Sequence, residues 1–273
     1  MTATLTDKEF EQFQSLIYQQ VGIKLDTQKK TMLVSRLGKR LRHLKLVSFQ
    51  AYFDCVNGKE GEEELTQLLD LVSTNKTDFF REPVHFDFLR EQVIPKVEAT
   101  RTLRIWSSAS SSGEEAYTIA MTLCDAIPGR SGWNIKILAS DISTRVLAKA
   151  ASGIYEEERV ATVPKDFVRR YFLRGKGEQA NKVKVRPYLR EMVTFRRINL
   201  MDPTFPIKKS LDVIFCRNVM IYFDRETQAS LIGKFYRYLS PGGYLFIGHS
   251  ESLQWIEHQF TYVKPTIYQK PEA

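Results

Sequence analysis

Polar side chains follow three apolar runs that each have the length of a buried strand. They are the run of small residues at 107–115, the pair Ser140 and Asp141, and the pair Arg217 and Asn218. In an open parallel sheet, ligands bind beyond the carboxyl ends of the strands, so these side chains can meet at one site. Small residues let a ligand approach the backbone, and the free amides at the start of a helix favour a carboxylate or a phosphate.

The chemistry of these segments indicates which ligand the site holds. Asp141 could accept hydrogen bonds from both hydroxyls of a ribose, which favours an adenosine-containing ligand, or it could simply cap the next helix. Residues 107–115 contain one glycine, Gly113, so the G-x-G-x-x-G fingerprint is absent and a dinucleotide is not indicated. Arg217 and Asn218 interrupt an apolar run, and buried polar groups there need partners that a ligand could supply.

A fourth candidate segment, residues 75–82, places two phenylalanines beside Arg81. Taken alone, it is equally consistent with a hydrophobic staple at the start of a helix and a solvated charge. The segment joins two parts of the chain with different periodicity.

The elements before this segment are predicted to be helical. Hydrophobic residues recur at helical spacing from Thr6 to about residue 72, where Thr6 or Asp7 and then Asp26 can act as caps. They form two stripes, one of Phe10, Phe13, Leu16 and Ile17, the other of Leu33, Leu37, Leu41 and Leu44. We therefore expect an N-terminal all-α domain over residues 1–74.

Beyond residue 74, strand-like and helical segments alternate, which is typical of an α/β fold with a Rossmann-like, doubly wound sheet. The predicted strands are Thr102–Ser107, 134–140, Leu211–Cys216 and 244–248, and the predicted helices are 82–97, one from Gly113, one after Asp141 and one from Asp224 to about 239. Residues 155–192 break this rhythm, and residues 182–186 alternate apolar and basic side chains. We expect an inserted, small antiparallel β-subdomain there, within a second domain that covers residues 75–273.

The composition excludes several classes of protein. With 273 residues, 43% of them hydrophobic, the chain can bury the core of a folded globular protein. Its apolar runs are far shorter than the ~20 residues of a membrane span, and acidic residues near the start argue against a secretion signal. The three cysteines form no C-x-x-C pair and the four histidines lie apart, so we expect no metal site and a cytoplasmic location. A monomer without membrane insertion is the default expectation.

Six segments occur in the order and spacing of one protein family. They are residues 36–42, 75–82, 111–115, 139–142, 216–223 and 248–251. Together they resemble the CheR-type chemotaxis receptor glutamate O-methyltransferases over nearly the whole chain. The resemblance implies a transferase that uses S-adenosyl-L-methionine to methyl-esterify glutamate side chains on chemoreceptor cytoplasmic helices. The product is S-adenosyl-L-homocysteine, and the role is adaptation in chemotactic signal transduction.

The resemblance also assigns roles to particular residues. By position, the family's cofactor contacts fall on Asn75, Thr77, Arg81, Glu115, Asp141, Asn199, Leu200, Arg217 and Asn218. Arg81 and Tyr222 are implied to assist methyl transfer. The sequence departs from the family at Ser112 and Ala116, where Thr and Pro are common. Serine keeps the hydroxyl and alanine suits the first turn of a helix, so we expect binding to survive.

A basic helix face is the predicted substrate-docking surface. Residues 27–53 hold seven Lys or Arg and no acid. At about 100° per residue, Arg36 and Lys39 fall on one face, and Arg40 lies at the border of the leucine stripe. Receptor helices carry acidic methylation sites, which complement this face. The β-subdomain of some family members captures a receptor's C-terminal peptide as an added strand, and this chain could do the same.

Two other functions remain open at this point. The net charge of +8 suits a nucleic-acid methyltransferase, but residues 217–220 read Arg-Asn-Val-Met where such enzymes usually carry [DN]PP[YFW]. We therefore expect no nucleic-acid partner. An inactive, cofactor-binding scaffold is the other alternative, and intact Arg81 and Tyr222 argue against it. A glutamate substrate is already ionised at pH 7, so the lack of a general base fits the methyltransferase interpretation.

Overall fold

A bundle of helices forms the N-terminal part of the computed structural model, which describes residues 4–59, 61–129 and 131–272. The helices are α1 (Asp7–Val21), α2 (Lys30–Leu44), which continues a 3-10 turn at Thr27–Lys29, α3 (Phe49–Val56) and α4 (Gly61–Val72). Thr6 starts α1 with a capping box to Glu9, and Asp26 caps the 3-10 turn through the Lys29 amide. The two predicted hydrophobic stripes are buried in the core of the bundle, except for Leu16 and Leu44, which are partly buried at its margin.

The rest of the chain forms a second unit of helices and strands. In order, the elements are α5 (Val84–Phe88), a π-helical turn (Leu89–Val93), α6 (Ile94–Lys96), β1 (Thr102–Ser107), α7 (Glu114–Ala126), β2 (Asn134–Asp141), α8 (Thr144–Ser152), β3 (Ile154–Glu156), α9 (Lys165–Tyr171), β4 (Phe172–Arg174), β5 (Lys182–Val185), α10 (Pro187–Glu191), β6 (Val193–Arg197), β7 (Leu211–Cys216), α11 (Arg225–Tyr238), β8 (Leu239–Ile247), β9 (Thr261–Lys264) and β10 (Ile267–Gln269). The predicted domain boundary falls between α4 and α5.

Seven strands form the main sheet, in the order β6-β2-β1-β7-β8-β10-β9. The first five are parallel, and β10 is antiparallel to both of its neighbours. Successive residues of β1 point to opposite faces, so Ile105 packs with α7 on one face while Trp106 packs with α11 on the other. The predicted α/β, doubly wound fold is confirmed. The strand order reverses between β1 and β7, which is where such sheets bind ligands.

The predicted insertion is also confirmed, as a separate antiparallel sheet in the order β3-β5-β4. It lies between α8 and β6 in the chain, and α9 and α10 belong to the same excursion. Strand β5, at Lys182–Val185, is the segment whose alternating apolar and basic residues predicted a strand.

Several elements differ from the sequence-based prediction. Strand β8 starts at Leu239 rather than at 244, because a register shift opposite β7 accommodates Pro241 and the two glycines after it. Strands β6, β9 and β10 were not predicted. Strands β9 and β10 have only four and three residues, and β6 and β9 are mostly exposed. In the described part of the chain, no helix combines the length and apolar character that a membrane crossing requires.

Candidate active site

A cleft that is partly open to solvent lies at the carboxyl ends of β1, β2 and β7, between the sheet and the helical bundle. All ten residues assigned by sequence to cofactor binding or catalysis line it: Asn75, Thr77, Arg81, Glu115, Asp141, Asn199, Leu200, Arg217, Asn218 and Tyr222. The structure therefore brings together side chains that are up to 147 positions apart in the chain, from Asn75 to Tyr222.

Arg217 is the centre of a buried charge network on the floor of the cleft. Its Nη1 donates to Glu115 Oε2 at 3.1 Å and its Nη2 donates to Glu82 Oε2 at 3.0 Å, and only 1% of its side chain is exposed. Burial raises the pKa of Glu115, although Arg217 and the Ser107 hydroxyl favour the carboxylate. Burial alone would raise the pKa of Glu82 too, but Arg217 and the Asn218 amide hold it below its usual value. Arg217 is thus held between the carboxylates of Glu82 and Glu115 at the carboxyl end of β7.

Asp141 stands at the end of β2 with both carboxylate oxygens held by backbone amides. Oδ2 accepts from the Ser111 amide at 2.9 Å and Oδ1 accepts from the Ser143 amide at 3.0 Å. Burial raises its pKa despite these bonds. The alternative role as cap of the next helix is filled instead by Ser143, whose hydroxyl accepts from the Val146 amide. Asp141 therefore faces the cleft with lone pairs to spare for a ligand's hydroxyl groups.

The segment at 75–82 forms one wall of the cleft. The Asn75 carbonyl accepts from the Ser111 hydroxyl at 3.0 Å, whereas Asn75 Nδ2 is buried without a hydrogen-bond partner among the described residues. Arg159, from the inserted β-subdomain, clamps this wall by donating to Asp78 at 3.1 Å and to the Thr77 carbonyl. A buried amide donor left unpaired in a cleft is what a ligand acceptor would satisfy.

Arg81 and Tyr222, the two predicted catalytic residues, occupy the more open part of the cleft. About a third of the Arg81 side chain is exposed, and its Nη1 donates to the Lys76 carbonyl at 3.0 Å. Tyr222 is half-buried, and the ammonium group of Lys29 lies 5.5 Å from the centre of its ring. Its backbone carbonyl accepts from the Lys24 amide at 2.9 Å, which ties it to the helical bundle.

The comparison with known families decides what kind of cleft this is. Residues 8–73 match the family description "CheR methyltransferase, all-alpha domain", and residues 75–269 match "CheR methyltransferase, SAM binding domain". The chain belongs to the CheR methyltransferase family. It is therefore a methyltransferase that binds S-adenosylmethionine, as the resemblance implied.

Curated members of the CheR family match this chain along most of its length. "Chemotaxis protein methyltransferase 2" of Pseudomonas aeruginosa is 43% identical over 96% of this chain and 93% of its own. "Chemotaxis protein methyltransferase" of Escherichia coli is 41% identical over 97% and 91% of the two chains. The protein of the same name from Borreliella burgdorferi is 40% identical over 99% and 96%.

The residues present fit the CheR cofactor. A sulfonium nucleoside that carries an amino acid needs hydroxyl acceptors, an amide donor and groups for its ammonium and carboxylate. The cleft offers the Asp141 carboxylate, the unpaired Asn75 amide, the Glu115 carboxylate and the Arg81 guanidinium. The side chain of Asn199 is partly committed, since it donates to the Gln20 carbonyl at 2.7 Å and accepts from the Met201 amide.

Sequence reasoning missed the contribution of the helical bundle to this CheR cleft. Five residues around the end of α1 and the start of α2 line it: Val21, Ile23, Leu25, Lys29 and Met32. They show no motif, and periodicity assigns them to a separate domain. Only the contact between the two units, seen in bonds such as Tyr18 to Asp224 at 2.6 Å, makes them part of the site.

A second missed residue is Glu251, in the segment 248–251 that served only to identify the CheR family. Its carboxylate accepts from four backbone amides, those of Asn218, Val219, Met220 and Gly248, at 2.5 to 2.9 Å. A side chain at Gly248 would place its Cβ 2.4 Å from Asn218 Nδ2, so the two loops can approach this closely only with glycine. Glu251 thus shapes the loop that carries Asn218 and Tyr222.

The predicted docking residues lie outside the cleft, and the structure gives two of them internal partners. Arg36 Nη1 donates to the carbonyls of Leu71, Val72 and Ser73 at the end of α4. Arg40 makes a two-pronged pair with Glu64 at 2.8 and 2.6 Å. Both arginines therefore also hold α2 to α4, a structural role that sequence periodicity did not indicate. Lys39 is exposed.

Proposed function

We propose that the chain transfers the methyl group of S-adenosylmethionine to glutamate side-chain carboxylates on chemoreceptor cytoplasmic helices. The products are glutamate methyl esters and S-adenosylhomocysteine, and the role is adaptation in chemotaxis. The observation that carries the proposal is that every residue assigned to cofactor or catalysis by the family resemblance lines one cleft. The names of the curated relatives, which are chemotaxis protein methyltransferases, support the same substrate class.

The proposed chemistry asks the protein mainly to position groups and exclude water. When bound, S-adenosylmethionine supplies an electrophilic methyl group next to a positively charged sulfur. A glutamate carboxylate is ionised at pH 7, since its reference pKa is about 4.3, so no general base is required. Asp141 and Asn75 hold the nucleoside part, and Glu115 is placed to pair with the ammonium group of its amino-acid part. Holding the reacting atoms in line can lower the barrier by several kcal/mol.

Arg81 and Tyr222 are proposed to act on the reacting carboxylate. About a third of the Arg81 side chain is exposed in the cleft, so its guanidinium can orient an anionic substrate oxygen, while the Tyr222 hydroxyl can contact the same region. Arg81→Ala and Tyr222→Phe should lower kcat for methyl transfer more than they weaken binding of S-adenosylhomocysteine measured by calorimetry. Arg90→Ala, an exposed arginine of the following π-helical turn, is the matched control. Wild-type turnover in either active-site variant would remove that residue from the mechanism.

The docking surface is proposed to comprise Arg36, Lys39 and Arg40, together with Arg42, which is exposed one turn from Lys39 on α2. Reversing Arg36 or Arg40 would break contacts between α2 and α4, so those variants cannot test docking alone. Lys39→Glu with Arg42→Glu should weaken methylation of receptor fragments, more at low salt than at high salt, and leave S-adenosylhomocysteine affinity unchanged. Lys8→Glu, on α1, is the control for a change in net charge.

The β-subdomain is proposed as a second contact for the receptor. Its three strands run in the order β3-β5-β4, so β3 and β4 are edges to which a receptor's C-terminal peptide could be added. A truncated receptor without this peptide should then be methylated more slowly at low receptor concentration, with the rate restored at saturation. An unchanged rate at every concentration would exclude this contact.

One experiment separates this function from its rivals. The full chain is incubated with methyl-labelled S-adenosylmethionine and either receptor membranes or RNA. Base-labile label in receptor protein, lost in glutamate-to-alanine receptor variants, is the expected result. Label in RNA would favour the nucleic-acid methyltransferase, and label in neither would favour an inactive scaffold. Size-exclusion chromatography with light scattering tests the proposed monomer.

A further inference from the structure

Two of the four histidines meet Glu82 just outside the cofactor cleft. His85 lies in α5, just after the 75–82 wall, and His249 lies in the loop after β8. Each of the three side chains offers one ligand atom, and these atoms all lie within 4.8 Å of one another. None of the three is among the residues that line the cleft, although Glu82 accepts hydrogen bonds from Arg217 and Asn218, which do line it.

The hydrogen bonds around His85 leave one of its nitrogens free to act as a ligand. His85 Nε2 and the Thr266 hydroxyl lie 2.7 Å apart and share a hydrogen bond, and the same hydroxyl can donate to the Pro265 carbonyl at 2.5 Å. The tautomer with the proton on Nε2 satisfies both contacts and leaves a lone pair on Nδ1. Nδ1 is fully buried, has no hydrogen-bond partner in the described ranges, and lies 3.7 Å from Glu82 Oε2.

In that tautomer the Nδ1 lone pair and the Glu82 oxygen face each other at 3.7 Å, an arrangement that a bound cation would stabilise. His249 approaches the same point from the surface, with its ring 5.6 Å from that of His85.

We propose that Glu82, His85 and His249 form a binding site for a divalent transition-metal ion, of which Zn²⁺ is the best suited. Two imidazoles and one carboxylate with a fourth position open to solvent are a usual set of zinc ligands. Mg²⁺ and Ca²⁺ prefer oxygen ligands, and the three side chains supply oxygen from Glu82 only. Thr266 acts as the outer partner that orients the buried imidazole, as ligating histidines require.

The neighbouring arginines set the strength of such a site. Arg217 already donates to Glu82 Oε2, and Arg81 Nε lies 4.0 Å from Oε1, so an ion has to share the carboxylate with two cations. The exposed ring of His249 can move inward to complete the coordination, whereas His85 is held in place. We therefore expect weak and reversible binding, with a measurable effect on the Arg217 network.

The test is Zn²⁺ titration of the full chain by calorimetry without cofactor, so its outcome does not depend on the proposed function. We expect one ion per chain, and at least about tenfold weaker binding in His85→Gln and in His249→Gln. His43→Gln, His258→Gln and Cys55→Ser are the controls that should retain wild-type affinity. His258 is the closest match, because its Nδ1 is also buried without a described partner.

A second variant protects the test against misfolding of the His85 substitution. Thr266→Val keeps all three ligands and removes only the hydroxyl that bonds to His85 Nε2, so it should weaken Zn²⁺ binding by about 10- to 100-fold. Thermal unfolding without metal checks that each variant is folded. The proposal is overturned if the wild-type chain binds no Zn²⁺, or if folded His85→Gln and His249→Gln bind it as tightly as the wild type.

Discussion

Glu251→Gln is the sharpest test of how the active-site loop is held. In the wild type, two carboxylate oxygens accept from four backbone amides of two loops, and the side chain is buried. Glutamine has one acceptor oxygen, which can keep about two of these bonds. Its NH₂ group would face the remaining two amides, donor against donor.

The expected cost follows from this count. Two buried amides left without acceptors cost about 1–3 kcal/mol each, or about 2–6 kcal/mol together. Removing a buried charge offsets part of this cost, because burial raises the pKa of Glu251 even with the amides of Gly248 and Asn218 bound to it. We therefore expect a net loss of about 2–4 kcal/mol. At about 2–4 °C per kcal/mol for a chain of this size, Tm should fall by about 4–16 °C.

Calorimetry measures both consequences. The scanning experiment gives Tm, and titration with S-adenosylhomocysteine well below Tm should show about tenfold weaker binding, because the loop carries Asn218. Glu257→Gln, an exposed glutamate of the same region, is the matched control and should change neither quantity. If Glu251→Gln behaves like Glu257→Gln in both measurements, the carboxylate does not organise the loop and the argument is wrong.

Three further predictions concern the walls of the cleft. Lys234 is buried, and its Nζ donates to the carbonyls of Leu200 and Asp202. Lys234→Met should lower the free energy of unfolding in urea by about 1–3 kcal/mol and weaken S-adenosylhomocysteine binding. Lys209→Met, at an exposed lysine, is the control and should change neither quantity. Arg217→Met should cost about 3–5 kcal/mol, because two buried carboxylates lose their cation, and adding Glu115→Gln should restore part of it; no restoration would contradict the pairing. Because burial raises the pKa of Asp141 above 3.8, the carboxylate gains a proton at a higher pH than an exposed aspartate does. Affinity for S-adenosylhomocysteine should thus fall on acidification already above pH 3.8, less so in Asp141→Asn, and equal pH profiles would refute this role.

The fold was largely predictable because its signals are local. The helical stripes of the bundle and the alternation of strands and helices follow from hydrophobic spacing. The predicted bounds of β1 and β7 match the structure at both ends, and those of β2 match at its first residue. The edge strands were not predictable from the sequence, because a short exposed strand such as β9 has little apolar pattern. Its backbone is held in the sheet by pairing with β10.

The site was predictable only in part, and for a related reason. Residues at strand ends, such as Asp141 and Arg217, can be placed by topology alone. The lining residues Ile23 and Met32 come from another domain, and no local rule specifies how two domains pack. The same limit applies to the basic face of α2: helix periodicity put Arg36 and Lys39 on one face, with Arg40 at its border, but could not show that Arg36 and Arg40 also contact α4.

Helix α2 connects the wall of the cleft to an exposed basic surface of the bundle. Met32 borders the cleft, and Lys39 and Arg42 follow at about 10 and 15 Å along the helix axis. If a helical partner bound along α2, the position that contacts Lys39 and Arg42 and the position that is methylated in the cleft would be a fixed distance apart. The enzyme would then work as a molecular ruler, selecting a side chain by its axial distance from an anchoring point rather than by its immediate neighbours.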